Sequence, residues 1–131
     1  MSTILTSTGI TFPDATTQST AAGASITMGL FAYGYDGTNY LTTINLISYV
    51  GSVATDTTGV GTARRYLAGT SYGGNKAIFG FGNTGSSTKY NVTNLVNDLG
   101  AVASDTTGVG TARYSLGAAS YGIDKAIFGY G

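Results

Sequence analysis

Residues 55–82 read TDTTGVGTARRYLAGTSYGGNKAIFGFG, and residues 104–131 read SDTTGVGTARYSLGAASYGIDKAIFGYG. The two stretches start 49 residues apart, and 19 of their 28 aligned positions are identical. The match continues upstream. Asn45-Leu46-Ile47 aligns with Asn94-Leu95-Val96, and Gly51-Ser52-Val53-Ala54 with Gly100-Ala101-Val102-Ala103. Residues 28–34, MGLFAYG, are a worn copy of residues 76–82, KAIFGFG, one residue out of register, and the slip falls in the loop, residues 35–44 against 83–93. A period of this size marks a repeat architecture in which stacked units bury their faces against one another.

The repeat is a β repeat. Gly, Thr, Ser, Asn, Tyr and Val dominate it, and most of these are poor helix formers. Short apolar runs bounded by Gly, Asn and Asp predict strands. Four are predicted per unit: strand a at 66–72 and 114–121; strand b at 28–33, 76–81 and 125–130; strand c at 41–49 and 90–96; strand d at 51–54 and 100–103. Gly73-Gly74-Asn75 and Gly122-Ile123-Asp124 are tight a–b turns, where Gly and Asn supply positive φ. The d–a link, Asp-Thr-Thr-Gly-Val-Gly-Thr-Ala-Arg, is identical in both copies, from Asp56 to Arg64 and from Asp105 to Arg113.

Gly-Thr-Ala-Arg, a strand ending in Ser-Tyr-Gly, Lys-Ala-Ile-Phe-Gly-(Phe/Tyr)-Gly, and a third strand leading into Asn-Leu together resemble kelch-type propeller repeats over residues 28–131. Two features depart from that pattern. The adjacent glycine pair is split by an aromatic, as Gly80-Phe81-Gly82 and Gly129-Tyr130-Gly131, and the fourth-strand Trp is missing, with Val53 and Val102 nearest its place. The resemblance implies an all-β chain of about two four-stranded kelch-like propeller blades. A repetitive β-sandwich or β-solenoid is the alternative. The strand order is b, c, d, a, b, c, d, a, b, leaving one b strand surplus to two blades. Two blades cannot close a ring, since propellers have about 4–8. A homo-oligomer, or a fragment of a longer array, is therefore expected, foremost a trimer giving six blades by cyclic head-to-tail contacts.

Residues 1–27 stand outside the repeat. Ile4-Leu5 and Ile10-Thr11-Phe12 are strand candidates around Gly9, Pro13-Asp14 marks a turn, and residues 16–25 read as a small, polar linker. The stretch from Gly9 to Ala22, GITFPDATTQSTAA, resembles a leader of bacteriophage tail fibres and related virion proteins, with Ala15 where Gly is usual. The repeat itself is similar to kelch-like repeats in proteins of marine phages. These resemblances imply a virion structural protein of the tail, with residues 1–27 engaging other tail proteins.

Composition narrows the chemistry. The 131 residues include no His, Cys, Glu or Trp; the six acids are all Asp and balance six Lys+Arg. Serine–histidine and cysteine nucleophile systems, thiolate zinc sites and iron–sulfur clusters are thereby excluded. Zero net charge argues against an electrostatic grip on nucleic acid. No stretch approaches the ~20 apolar residues of a membrane helix. The N-terminus lacks the basic and apolar regions of a secretory signal. No cofactor and no enzymatic activity is expected. Paired carboxylates for glycoside cleavage would have to come from six Asp, of which Asp56 and Asp105 are repeat-matched.

Those matched positions read as structural. Asp56 and Asp105 are expected to cap the Thr-Thr-Gly turn that follows each, and Arg64 and Arg113 to tie that loop to a strand end. Lys76 and Lys125 open strand b as solvated edge guards. Ile78, Phe79, Ile127 and Phe128, with Tyr72 and Tyr121, are expected in the core. Gly59-Val60-Gly61 and Gly108-Val109-Gly110 precede strands without a helix or a Gly-Lys-Ser/Thr, so they are not phosphate loops. Variable loops on a repeated frame are where binding is displayed. The b–c loops differ between units. They nominate Tyr35, Asp36, Asn39 and Tyr40 in the first loop, and Asn83, Lys89 and Tyr90 in the second, as residues facing a host receptor, a surface glycan or protein. The expected function is a phage tail-fibre or tail-tip structural protein, made in the host cytoplasm and incorporated into the virion. A soluble carbohydrate- or protein-binding propeller and a capsid decoration protein are the alternatives.

Overall fold

A computed structural model describes residues 29–131 in full and, of residues 1–28, only the backbone of three short strands. These are β1 (Ile4–Thr6), β2 (Gly9–Thr11) and β3 (Thr17–Gln18), an antiparallel sheet in that order. β1 and β2 fall where the sequence predicts strands. β3 occupies part of the predicted linker, whose remaining residues, like the Pro13-Asp14 turn, lie outside the described residues.

The described chain is all-β. In order follow β4 (Gly29–Tyr35), β5 (Tyr40–Ile47), β6 (Ala68–Tyr72), β7 (Lys76–Gly80), β8 (Asn83–Thr84), β9 (Thr88–Lys89), β10 (Val92–Val96), β11 (Thr106–Thr107), β12 (Gly117–Tyr121) and β13 (Lys125–Gly129). The central sheet runs β6-β7-β10-β11 with every neighbour antiparallel, an up-and-down meander in which β6, β7 and β10 fall at predicted strands a, b and c and β11 lies beyond the segment predicted as strand d. The first unit supplies b and c as the β4–β5 hairpin, and the last supplies a and b as β12–β13. Several small sheets result, and among the described residues none closes on itself.

The 49-residue period reappears bond by bond. Ile44 bridges Thr57 as Thr93 pairs with Thr106, and Ile47 bridges Val53 as Val96 bridges Val102. Ala54 N–H donates to Leu46 at 2.8 Å, and Ala103 N–H to Leu95 at 2.8 Å. Between units, Gly34 N–H donates to the Arg64 carbonyl at 3.0 Å, as Gly82 N–H does to Arg113 at 2.9 Å. β12 lies against β6, tied by Ser115 N–H to the Tyr66 carbonyl at 2.7 Å.

Two predicted strand boundaries move, for backbone reasons. Strand d makes only single bridges within 51–54 and 100–103, and pairing resumes at Thr57 and at β11. Gly51 (φ 82°) and Gly100 (φ 79°) are left-handed, and their N–H groups donate to Ser48 and Asn97; the turn takes the start of the predicted strand. Strand a begins late because Tyr66 (φ 54°) and Ser115 (φ 56°) are also left-handed and interrupt extended backbone. The split glycine pair has a counterpart in the same terms. Tyr33, Phe81 and Tyr130, the aromatics at repeat-equivalent positions, have φ of 67°, 64° and 67°.

The buried apolar core is small: Ile44, Val96 and Val102, flanked by Leu30, Ala32, Tyr33, Ala77 and Phe79. It lies between the first and central units. The last unit corrects two core expectations. Ile127 and Tyr121 are 56% and 53% exposed, whereas their mates Ile78 and Tyr72 are half-buried. Among the described residues β13 has no strand on its outer edge, and β12–β13 remains a two-stranded hairpin with little to cover these side chains.

Candidate functional site

The most buried polar cluster is structural. Arg64 and Asn94 are both 0% exposed. Arg64 Nε donates to the Phe81 carbonyl at 2.6 Å, Nη1 to the Thr62 carbonyl at 2.9 Å, and Nη2 to Asn94 Oδ1 at 2.7 Å. Asn94 Nδ2 donates to Asp105 Oδ1 at 2.8 Å and to the Ala103 carbonyl at 3.0 Å. The guanidinium also lies over the Tyr33 ring, 4.5 Å from its centroid. Every polar group is partnered, which is what burial of an arginine requires.

Asp105 holds a different turn from the expected one. Its carboxylate accepts Thr62 N–H at 3.0 Å and the Thr62 hydroxyl, in the preceding unit's link. Partial burial opposes its charge, but the bonds from Thr62 and Asn94 and the nearby Arg64 outweigh that, and its pKa falls below the ordinary value. Burial raises the Tyr33 pKa, against the opposing pull of Arg64. In the first unit, Asp56 accepts Asn45 Nδ2 at 2.7 Å, the same pair without an arginine. Arg113 is exposed, with one long bond from Nη1 to the Gly131 carbonyl at 3.5 Å.

The b–c loops gather at the opposite end of the strands from the a–b turns. Of the nominated residues there, Tyr35, Tyr40 and Lys89 join one surface. Tyr35 and Tyr40 lie 5.0 Å apart by ring centroids. The Arg65 guanidinium sits 4.7 Å from the Tyr35 centroid, 5.7 Å from that of Tyr40 and 4.8 Å from that of Tyr66. The Tyr66 ring is 6.3 Å from that of Tyr114, and Lys89 Nζ lies 5.3 Å over Tyr114. A row of alternating rings and cations results: Tyr40, Tyr35, Arg65, Tyr66, Tyr114, Lys89. Tyr35 and Tyr66 are well exposed.

The other nominated residues build the loops. Asp36 accepts the N–H groups of Thr38 and Asn39, each at 2.7 Å, and these bonds lower its pKa; Asn39 Nδ2 adds a longer contact. Asn83 is buried at 3% exposure, which corrects its placement on a receptor-facing surface. Its backbone pairs with Arg65 in both directions and its Nδ2 donates to the Gly85 carbonyl at 2.7 Å. The Tyr90 hydroxyl pairs with Thr84 Oγ1 at 3.1 Å.

Arg65, Tyr66 and Tyr114 escaped the sequence reading. They had a signal. Immediately after nine identical residues, Arg65-Tyr66 stands where the second copy has Tyr114-Ser115. The repeat breaks there, beside its most uniform stretch.

An open groove of about 510 Å³ lies between the first and central units at the a–b turn end, lined by Leu30, Phe31, Leu46, Phe79 and Val96 among others. Among the described residues no group of three or more acids gathers to hold a metal ion. No protein-family model and no curated protein matches the chain.

Proposed function

We propose that the chain is a non-enzymatic structural protein of a bacteriophage virion, a tail-fibre or tail-tip subunit that presents the Arg65 row to the host envelope. One observation carries this reading: where the repeats agree they build scaffold, and where they differ their side chains assemble on one rim. Rigid aromatic faces beside cations suit recognition of sugar surfaces. The leader resemblance supports attachment of residues 1–27 to other tail proteins, with the chain made in the host cytoplasm and residing in the virion tail.

In this reading each unit is a kelch-like blade and three copies close a ring. The four-stranded meander of the central sheet supports it, as do the open edges of β4 and β13, which natural sheets rarely leave uncovered. So do two complementary halves on one chain: Asn45–Asp56 lacks a guanidinium, and Arg113 lacks a carboxylate. The test is competition for adsorption. Purified protein should block attachment of the parent particle to its host, and antibody to it should label the tail in electron micrographs. Labelling of the capsid shell, or unimpeded adsorption, overturns the reading.

A further inference from the structure

We infer that the Arg65 row binds an acidic glycan, a chain of sugar rings bearing carboxylates, with Arg65 as the residue that reads the acid. The inference rests on the surface-binding reading above and adds the ligand class. It starts from two adjacent arginines in opposite states. All three nitrogens of the Arg64 guanidinium donate to protein acceptors. Arg65 Nε is buried without a partner, and its guanidinium makes no hydrogen bond to any described residue. Yet Arg65 is held in place, between the rings of Tyr35, Tyr40 and Tyr66. The three rings confine the fork; with Nε enclosed, its Nη1 and Nη2 edge, which no described residue occupies, is the edge that meets a carboxylate in two parallel bonds. Because the fork is already ordered, less freedom is lost on binding.

The neighbours fit the same ligand. Lys89, over Tyr114, places a second cation two rings along the row. The carboxylate on the adjoining loop, Asp36, is turned onto Thr38 and Asn39. Exposed tyrosine faces stack on the C–H faces of sugars. Single-stranded nucleic acid also stacks on aromatics, but it presents a phosphate at every residue and is held by a continuous basic groove. Two cations separated by two tyrosines suit a sparser charge.

The experiment titrates the full chain with polygalacturonate, alginate and hyaluronate, with the carboxyl-reduced form of each, and with oligo(dT), by calorimetry. At least one acidic polymer should bind and its reduced form should not. Arg65→Gln should weaken binding about tenfold or more, the worth of a charge-assisted bidentate contact. Lys89→Gln should weaken it less, and Lys125→Gln, at the far end of the strands, should leave it unchanged. Binding to none of the three acidic polymers, equal binding to reduced forms, indifference to Arg65→Gln with the fold intact by circular dichroism, or tighter binding of oligo(dT) each overturns the inference. Adsorption blocking that persists in Arg65→Gln would sink the acid-reading role and leave the tail assignment standing.

Discussion

Arg64 Nη2 and Asn94 Oδ1 meet at 2.7 Å with both residues fully buried, so the link that leaves the first unit is anchored on the third strand of the next. Their repeat-mates are separated: Arg113 is exposed at one end of the chain, and Asn45 pairs with Asp56 at the other. One sequence motif thus has two physical roles.

Arg64→Gln should destabilise the fold by about 3–5 kcal/mol, because it removes one member of a buried charged network and strands Asn94 and the Phe81 carbonyl. Arg113→Gln should change the stability of an isolated chain by no more than about 0.5 kcal/mol. Urea denaturation of the two variants measures the contrast.

Acid should weaken the molecule through Asp105. Its folded pKa is lowered, so its stabilising contribution is complete above the unfolded aspartate value of about 4 and is lost as pH falls through the lower folded value. Asp105→Asn should lower stability at pH 7 and flatten the acid limb below about pH 4. Chemical denaturation across that range distinguishes the two curves.

Association should depend on the unmatched halves. In the proposed three-copy ring, Arg113→Gln and Asp56→Asn should each shift the population toward monomer in native mass spectrometry, and the double variant should be no worse than either alone. A wild-type chain that stays monomeric at every concentration defeats the ring proposal.

Left-handed backbone at Ser115 is a correctable strain. Ser115→Gly should raise stability by about 1 kcal/mol, since a non-glycine residue at positive φ costs about that much and no side-chain bond of Ser115 is lost. Phe81→Gly relieves the same strain but gives up a ring packed 5.6 Å from Phe128, and should destabilise on balance. Thermal melts of the two variants should move in opposite directions.

Gly59→Ala and Gly108→Ala should both be severely destabilising. A Cβ at either would land on a backbone carbonyl oxygen, that of Thr42 or Asn91. Each Gly-x-Gly element is therefore a place where two backbones touch. Loss of soluble expression, or a melting point lowered by more than about 10 °C, is the expected readout.

The strand inventory was legible because period-2 runs and turn glycines recur at fixed spacing. The fourth strand was not, because Gly51 and Gly100 close a turn at the start of each run. The β8–β9 hairpin, only two residues per strand, was too short to leave an alternation. In the candidate site, Tyr35, Tyr40 and Lys89 stood out by lying in loops that differ between units. Asn83 looked the same by composition yet faces inward, because its pairing with Arg65 is a tertiary fact. Arg65 itself was hidden beside Arg64, whose identity in both copies drew attention to the scaffold.

The clasp between Thr62 and Asp105 spans 43 residues. As the chain leaves a ribosome, the first link emerges long before the carboxylate that will hold it. The first unit's link is thus held by a residue of the second, so its protection from proteases is expected to await synthesis of Asp105.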